Sequence, residues 1–238
     1  MFGCLYLIST PIGNLGDITL RAIRLLKKAD VIAAEDPART KPLLEHYGIE
    51  TPMTSYHNHN KEDKATVLVR RLQEGQNVAL VVDAGTPAVS DPGAFLLAQV
   101  LEAGIRVAPI PGPSAVLVGL SVSGLPSDAF VFAGVLPEKP GARRRLLHAL
   151  DREPRTLVFF ESADRLRSVV ETIRDLFGNR RLALAKDLTT SDEQVWRGTA
   201  QALLDAPIWP VEGEVTLVVA GHRRPPRTAG RRKSRNAR

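Results

Sequence analysis

The stretch from Val78 to Gly93, VALVVDAGTPAVSDPG, limits the fold more than any other part of the sequence. Five apolar residues, Val78 to Val82, stop at Asp83, and the residues after it are mostly small or turn-forming. A short continuous apolar run bounded by turn signals fits a strand buried on both faces, as in a parallel sheet. Ligands of open parallel sheets sit beyond the carboxyl ends of the strands, where glycine lets a backbone come close. The loop is not a phosphate cradle. It matches neither G-x-x-x-x-G-K-[ST] nor G-x-G-x-x-G. No lysine or arginine occurs from Leu72 to Ile105, whereas Glu74, Asp83, Asp91 and Glu102 are acidic. Such a loop suits a ligand carrying positive charge and hydroxyls, of which a sulfonium nucleoside such as S-adenosylmethionine is one; a plain strand-to-helix connection is the alternative.

The rest of the first half repeats the same alternation. Strands are expected at Leu5 to Thr10, Val31 to Ala34, residues 52–56 and Val107 to Ile110, with helices from Thr19 to Lys28, Pro37 to Tyr47, after Asn60 to Gln73, and up to Ala103. This order predicts a parallel sheet covered by helices. After Pro113 the rhythm changes. A small-residue helix is expected from Ser114 to Ser123, a strand near Phe130 to Ala133, a loop over Pro137 to Gly141 and a basic helix containing Arg143, Arg144 and Arg145. Thr156 to Phe160 reads as a buried strand and Asp164 to Phe177 as a helix. Leu182 to Ala185, Gln194 to Arg197 and Val215 to Ala220 complete a second sheet. Two of these strands have no helix between them, so that sheet should be mixed. The expected organisation is α/β with two domains, 1–112 and 113–221, followed by a basic tail, 222–238.

The net charge of +6 over 238 residues belongs to that tail. From His222 onward there are eight basic residues and no acid, which leaves −2 for the preceding 221 residues. The tail is also poor in apolar residues and is expected to be disordered. One cysteine, Cys4, excludes an internal disulfide and fits a reducing cytoplasm. The apolar runs are too short for a membrane span, the first apolar residues lack a positive flank, and no Cys/His set has zinc spacing. A cytoplasmic protein without metal is expected.

Seven segments together carry a resemblance: LISTPIGNLGDIT (7–19), AED (34–36), VDAGTPAVSDPG (82–93), PIPGPSA (109–115), GLPSD (124–128), RTLVFFES (155–162) and GEVTLVVAG (213–221). The chain resembles the tetrapyrrole-methylase superfamily of S-adenosylmethionine-dependent enzymes over residues 4–221. Within it, the resemblance is to the group that methylates the ribose 2′-oxygen of a cytidine in 16S ribosomal RNA of the small subunit. This resemblance implies a homodimer of two-domain chains with the cofactor in the cleft between the domains. The implied cofactor contacts are Ile12, Asp83, Gly85, Thr86, Pro87, Val89, Ser114, Ala115 and Phe160. One departure stands out. The group reads AEDTR, whereas here Asp36 is followed by Pro37 and Ala38, so Arg39 lies one place later and any RNA contact must shift with it.

Methyl transfer to a 2′-hydroxyl requires a group to take the proton. Glu35, Asp36 and Lys186 are the candidates; helix capping for the acids and a salt bridge with Asp187 for the lysine are the alternatives. His57 and His59 alternate in a stretch read as extended, so they should face one way and could meet RNA. Arg143, Arg144 and Arg145 could bind phosphates or form a solvated helix face. Two other functions remain open on the residues alone: methylation of a small tetrapyrrole, and RNA binding without catalysis. The cationic tail favours RNA over an anionic macrocycle, and the intact central loop favours an enzyme.

Overall fold

The computed structural model describes residues 1–209 and 212–222. Among these, the apolar runs of the first half form five parallel strands: β1 (Cys4–Ile8), β2 (Val31–Ala34), β3 (Met53–Ser55), β4 (Val78–Val81) and β5 (Arg106–Ile110). Their order across the sheet is β3-β2-β4-β1-β5. The central β4 is buried at every position, and so is β2 beside it, which is why both read as uninterrupted apolar runs.

Helices cover both faces. On one, α1 (Leu20–Lys28) and α2 (Pro37–His46) pack Leu26, Leu43 and Leu44 against Ile8, Ile32 and Ala79. On the other, α3 (Lys61–Gln73) and α4 (Gly93–Glu102) pack Leu68, Leu72 and Leu96 against Leu5, Val31 and Leu80. Sequence chemistry sets their starts. Thr19 Oγ1 accepts from Ala22 N at 3.1 Å to cap α1, and Asp36 Oδ1 accepts from Ala38 N at 2.8 Å to cap α2, with Pro37 in the first helical position.

The second sheet is mixed, as the missing crossover helix predicts. Its strands are β6 (Phe130–Val135), β7 (Thr156–Ser162), β8 (Arg181–Lys186), β9 (Gln194–Thr199) and β10 (Glu214–Val219), in the order β6-β7-β10-β8-β9. Only β6 and β7 are parallel; β10 runs antiparallel to both β7 and β8. One face carries α6 (Pro140–Ala149), α7 (Ala163–Phe177) and α8 (Ala200–Asp205) over a core including Leu147, Val169, Leu184 and Leu217. The other face carries α5 (Ala115–Ser123), whose Val116 and Leu120 meet Val158, Ala183 and Val218.

Four local expectations change. The loop placed at Pro137 to Gly141 ends early, because Pro140 opens α6 at its first position. Helix α8 was not anticipated; it is six residues long, too short to show a period, although Thr199 caps it through Ala202 N at 3.3 Å. His57 and His59 do not lie in an extended run but flank the turn that starts α3. Within α6, Arg143 does not share a face with Arg144 and Arg145. It lies with Leu147 one helical turn on, buried with only 6% of its surface exposed, and its Nη2 is 3.5 Å from Ser168 Oγ. The expected disordered tail falls outside the described residues beyond His222.

Candidate active site

A cavity of about 640 Å3 separates the two sheets, at the carboxyl ends of β1 and β4 on one side and the ends of β7, β8 and β10 on the other. Its first wall is made by loops stitched together through the backbone. Thr10 N donates to Gly85 O at 2.9 Å and Gly85 N to Thr10 O at 3.1 Å, while Thr10 Oγ1 donates to Val82 O at 2.9 Å. Thr86 Oγ1 lies 3.1 Å from Ser9 Oγ and donates to Pro113 O at 3.2 Å, which adds the loop after β5. Gly85 has φ +87°, and a Cβ there would meet nothing closer than Ile12 Cγ2 at 3.6 Å. Backbone conformation, rather than space for a ligand, therefore demands glycine at this position.

The rest of the central loop is shaped by one carboxylate. Asp91 accepts from Ala88 N at 3.0 Å, Val89 N at 2.9 Å and Gly93 N at 2.7 Å, and it holds Ala88 and Ser90 at φ +66° and +68°. Tyr56 is buried beneath, donating to Pro92 O at 3.3 Å; burial pushes its phenol up to about 12, so it stays a donor.

Asp83 is the hub of the cleft's charge. Its Oδ1 accepts from Asp36 N at 3.0 Å and its Oδ2 from Arg39 Nη1 at 3.0 Å, and Arg39 Nη2 continues to Glu214 Oε1 at 3.5 Å. Among the described residues this is the one ion pair that joins the two halves. Glu35 sits in the field of this group. Burial first, then the charges of Asp83 and Asp91, push its carboxyl above the usual range, against which Asp83 hydrogen bonding and Arg39 act only in part.

The second wall is made by side chains. Phe160 and Glu161 of β7 pair with Thr216 and Val215 of the neighbouring antiparallel β10, and all four line the cavity. The Glu161 side chain is fully buried; Oε1 accepts from Ser162 N at 2.8 Å and Arg165 Nε at 2.8 Å, while Oε2 has no partner among the described residues. Lys186 Nζ donates to Asp187. Asp187 and Thr189 take φ +49° and +67°, so all four described non-glycine residues with positive φ lie in the two loops that face each other over this cavity. Strain of that kind collects at functional sites. Gly13 lets the loops touch: a Cβ there would stand 2.4 Å from Leu188 O.

Of the residues expected to hold the cofactor, Ile12, Asp83, Ala115 and Phe160 line the cavity. Gly85 and Pro87 are buried behind it, Thr86 ties loops together, Ser114 precedes α5, and Val89 is 43% exposed at the loop tip. Arg39 also lines the cavity and is already engaged by Asp83 and Glu214. None of the proton-acceptor candidates is among the residues lining the cavity: Asp36 caps α2, Lys186 donates to Asp187, and Glu35 is half-buried in the field of Asp83. The His57 and His59 rings lie 5.9 Å apart, with His57 Nδ1 buried and unpartnered among the described residues. Glu161, Asp187 and Glu214 were not singled out from the sequence, although GEVTLVVAG and VFFES frame two of them.

The family described as Tetrapyrrole (Corrin/Porphyrin) Methylases matches residues 4–204. The chain belongs to it. A protein of Escherichia coli O157:H7 named "Ribosomal RNA small subunit methyltransferase I" is 47% identical over 228 residues, 93% of this chain and 79% of that protein. One of the same name from Mesorhizobium japonicum is 50% identical over 218 residues, 90% of this chain and 74% of that protein. Among solved structures, a uroporphyrin-III-C-methyltransferase from Thermus thermophilus aligns with TM-score 0.66 at 24% identity, covering 92% of this chain and 94% of that one. A diphthine synthase aligns with TM-score 0.70 at 15% identity, covering 92% and 90%. Those two likenesses show the fold alone. Among the described residues no helix is long and apolar enough to cross a membrane, and no group of three or more His, Cys, Asp or Glu could hold a metal ion.

Proposed function

We propose that this chain is an S-adenosylmethionine-dependent methyltransferase that methylates the ribose 2′-oxygen of a cytidine in 16S ribosomal RNA of the small subunit, acting as a cytoplasmic homodimer. The observation that carries the reading is identity of 47–50% over at least nine-tenths of the chain to proteins named as small-subunit ribosomal RNA methyltransferases. The division into domains 1–112 and 113–221 belongs to the same reading, since the change from parallel to mixed sheet falls between β5 and β6.

The cavity fits the cofactor. Its volume is within the range of small-molecule sites, Ile12, Ala115 and Phe160 supply apolar walls, and Asp83, Asp187 and Glu214 supply negative charge suited to a sulfonium and an amine. When bound, S-adenosylmethionine supplies an activated methyl group whose sulfur leaves neutral. The chain's residues hold and exclude: the Thr10–Gly85 bridge fixes the loop carrying Asp83, and the apolar walls keep water from the reacting centre. Glu35, with its carboxyl raised, is the proton acceptor for the hydroxyl. Replacing it with glutamine should lower turnover by roughly 10²–10⁴ with cofactor binding intact. Turnover of the Glu35→Gln chain within a few fold of the parent would remove it from this role.

Gly85→Val tests the loop. Valine resists φ +87°, so the bridge to Thr10 should open and S-adenosylmethionine affinity should fall by at least tenfold, about 1.4 kcal/mol. A folded variant with parental affinity in calorimetry would refute the loop's part in binding. Mass mapping of 16S ribosomal RNA from cells with and without the gene should show one ribose methyl lost; unchanged methylation would overturn the substrate assignment.

A further inference from the structure

A second cavity, also of about 640 Å3, lies at the far end of the second sheet. Strand β7 joins the two: Thr156 lines this cavity and Glu161 lines the cleft, roughly 15–20 Å apart at about 3.3 Å per residue. Its floor is apolar, with Leu125, Pro126 and Phe177. Its rim carries Arg155, Arg180 and Arg181 against one acid, Asp128. Arg155 is matched by Glu153, with Nε 2.7 Å from Oε1. The other two arginines form no salt bridge among the described residues, although the charge of Asp151 acts on Arg180 and Arg180 Nη2 lies 3.4 Å from His222 Nδ1. Arg180 donates to the main-chain carbonyls of Asp151 and Ala220 and lies 4.4 Å over the Phe177 ring. Arg181 reaches the Gly124 carbonyl at 3.5 Å. Carbonyls orient a guanidinium without cancelling its charge, so both remain available to an anion. The chain leaves the cavity at His222, and Arg223, Arg224 and Arg227 come next in the sequence.

We propose that this cavity is a second nucleic-acid subsite, holding a backbone phosphate and its nucleoside from the RNA strand whose reacting nucleotide occupies the cleft. The proposal rests on the RNA reading above. Charge selects the occupant. An apolar ligand would leave Arg180 and Arg181 unpaired. A phosphodiester pairs with the guanidinium groups, and its nucleoside has the exposed Pro126 to lie against, the Phe177 ring being buried beneath Arg180. Inorganic phosphate carries the same charge but neither base nor strand, which the test uses.

The experiment compares the full chain with Arg181→Glu and Asp128→Asn, both exposed positions, by titrating a fluorescein-labelled single-stranded RNA at several salt concentrations. Arg181→Glu should weaken RNA binding about tenfold and lower the salt slope of log K by about 0.7. Asp128→Asn should tighten binding by a few fold. S-adenosylmethionine affinity should stay at the parental value in both. Superimposable salt plots for the three proteins would overturn the subsite. So would displacement of the RNA by inorganic phosphate at equal phosphate concentration. If Arg181→Glu melts early, Asp128→Asn decides alone, since unchanged affinity there also overturns it. Failure of the parent chain to bind RNA at all counts against the function reading instead.

Discussion

The two walls of the cleft are held by different physics. On the side of the parallel sheet, the loops are shaped by hydrogen bonds to main chain: Thr10 with Gly85 backbone to backbone, and the Asp91 carboxylate with three amides of its own turn. On the side of the mixed sheet, the lining acids Glu161 and Asp187 are held by side-chain ion pairs with cations outside the lining, Arg165 of α7 and Lys186 of β8. A backbone-built wall tolerates changes in its lining but not in its turn residues. A side-chain-built wall fails when one partner of a buried pair is lost. The cleft thus joins a surface defined by conformation to one defined by charge, with Arg39 spanning them.

The largest effect should come from the charged wall. Arg165→Ala leaves the fully buried Glu161 carboxylate without its guanidinium, which should cost about 3–5 kcal/mol. Thermal and denaturant unfolding measure it, and Arg165→Ala combined with Glu161→Gln should recover most of the loss. If the single variant unfolds like the parent, the second wall does not depend on that pair. The backbone-built wall has its own weak point in Asp91. Asp91→Ala frees three amides and the two residues held at positive φ, costing about 1.5–3 kcal/mol. S-adenosylmethionine affinity should fall with it, because the loop loses the turn that shapes it. A parental affinity in calorimetry would show that the turn survives without the carboxylate.

This contrast also explains what the sequence revealed. Strands β2 and β4 are buried throughout, so their residues are uniformly apolar and the loops after them are written in Gly, Pro and Asp. Asp83 was legible because local turn chemistry marks its loop, whereas Ile12 and Ala115 came through the resemblance. Glu161 and Lys186 were not placed together, because antiparallel register sets both opposite Val215 and nothing local records that register. Phe160 was found only through resemblance. Arg143 misled because three consecutive arginines look like one surface, whereas a helix sends the first of them inward with Leu147. Asp36 and Glu35 read alike in the sequence, whereas in the structure Asp36 caps α2 through Ala38 N and burial raises the Glu35 carboxyl.

Where the walls touch, Gly13 is the hinge between them. A Cβ at Gly13 would stand 2.4 Å from Leu188 O and 2.7 Å from Thr190 Cγ2, so Gly13→Ala must push the first loop away from the 187–190 turn. Overpacking of this kind costs about 1–3 kcal/mol. The two sheets do not pack through this contact alone, so the cleft should widen before either half unfolds. Weaker cofactor binding with a melting temperature only a few degrees lower is the expected outcome. Parental values for both would mean that the loops separate freely.

The smallest effect concerns Glu35, and its sign separates a functional charge from a structural one. Burial and the carboxylates of Asp83 and Asp91 raise its pKa in the folded chain above the unfolded value. A raised group contributes stability that is fully present below the unfolded pKa and is lost as pH rises through the folded one. At neutral pH the ionised Glu35 therefore costs stability, and Glu35→Gln should be slightly more stable than the parent there. The advantage should shrink as pH falls and vanish below the unfolded carboxyl range, where the parent's Glu35 is protonated too. Because the side chain is only half-buried, solvent screens part of this and the gain should be modest. Arg39 partly offsets the repulsion, so Glu35→Gln should gain more in an Arg39→Ala background than alone. Melting curves at acid and neutral pH for the four proteins check this. A Glu35→Gln chain less stable than the parent at neutral pH would mean that the carboxylate is held by favourable contacts and belongs with the structural pairs of the other wall.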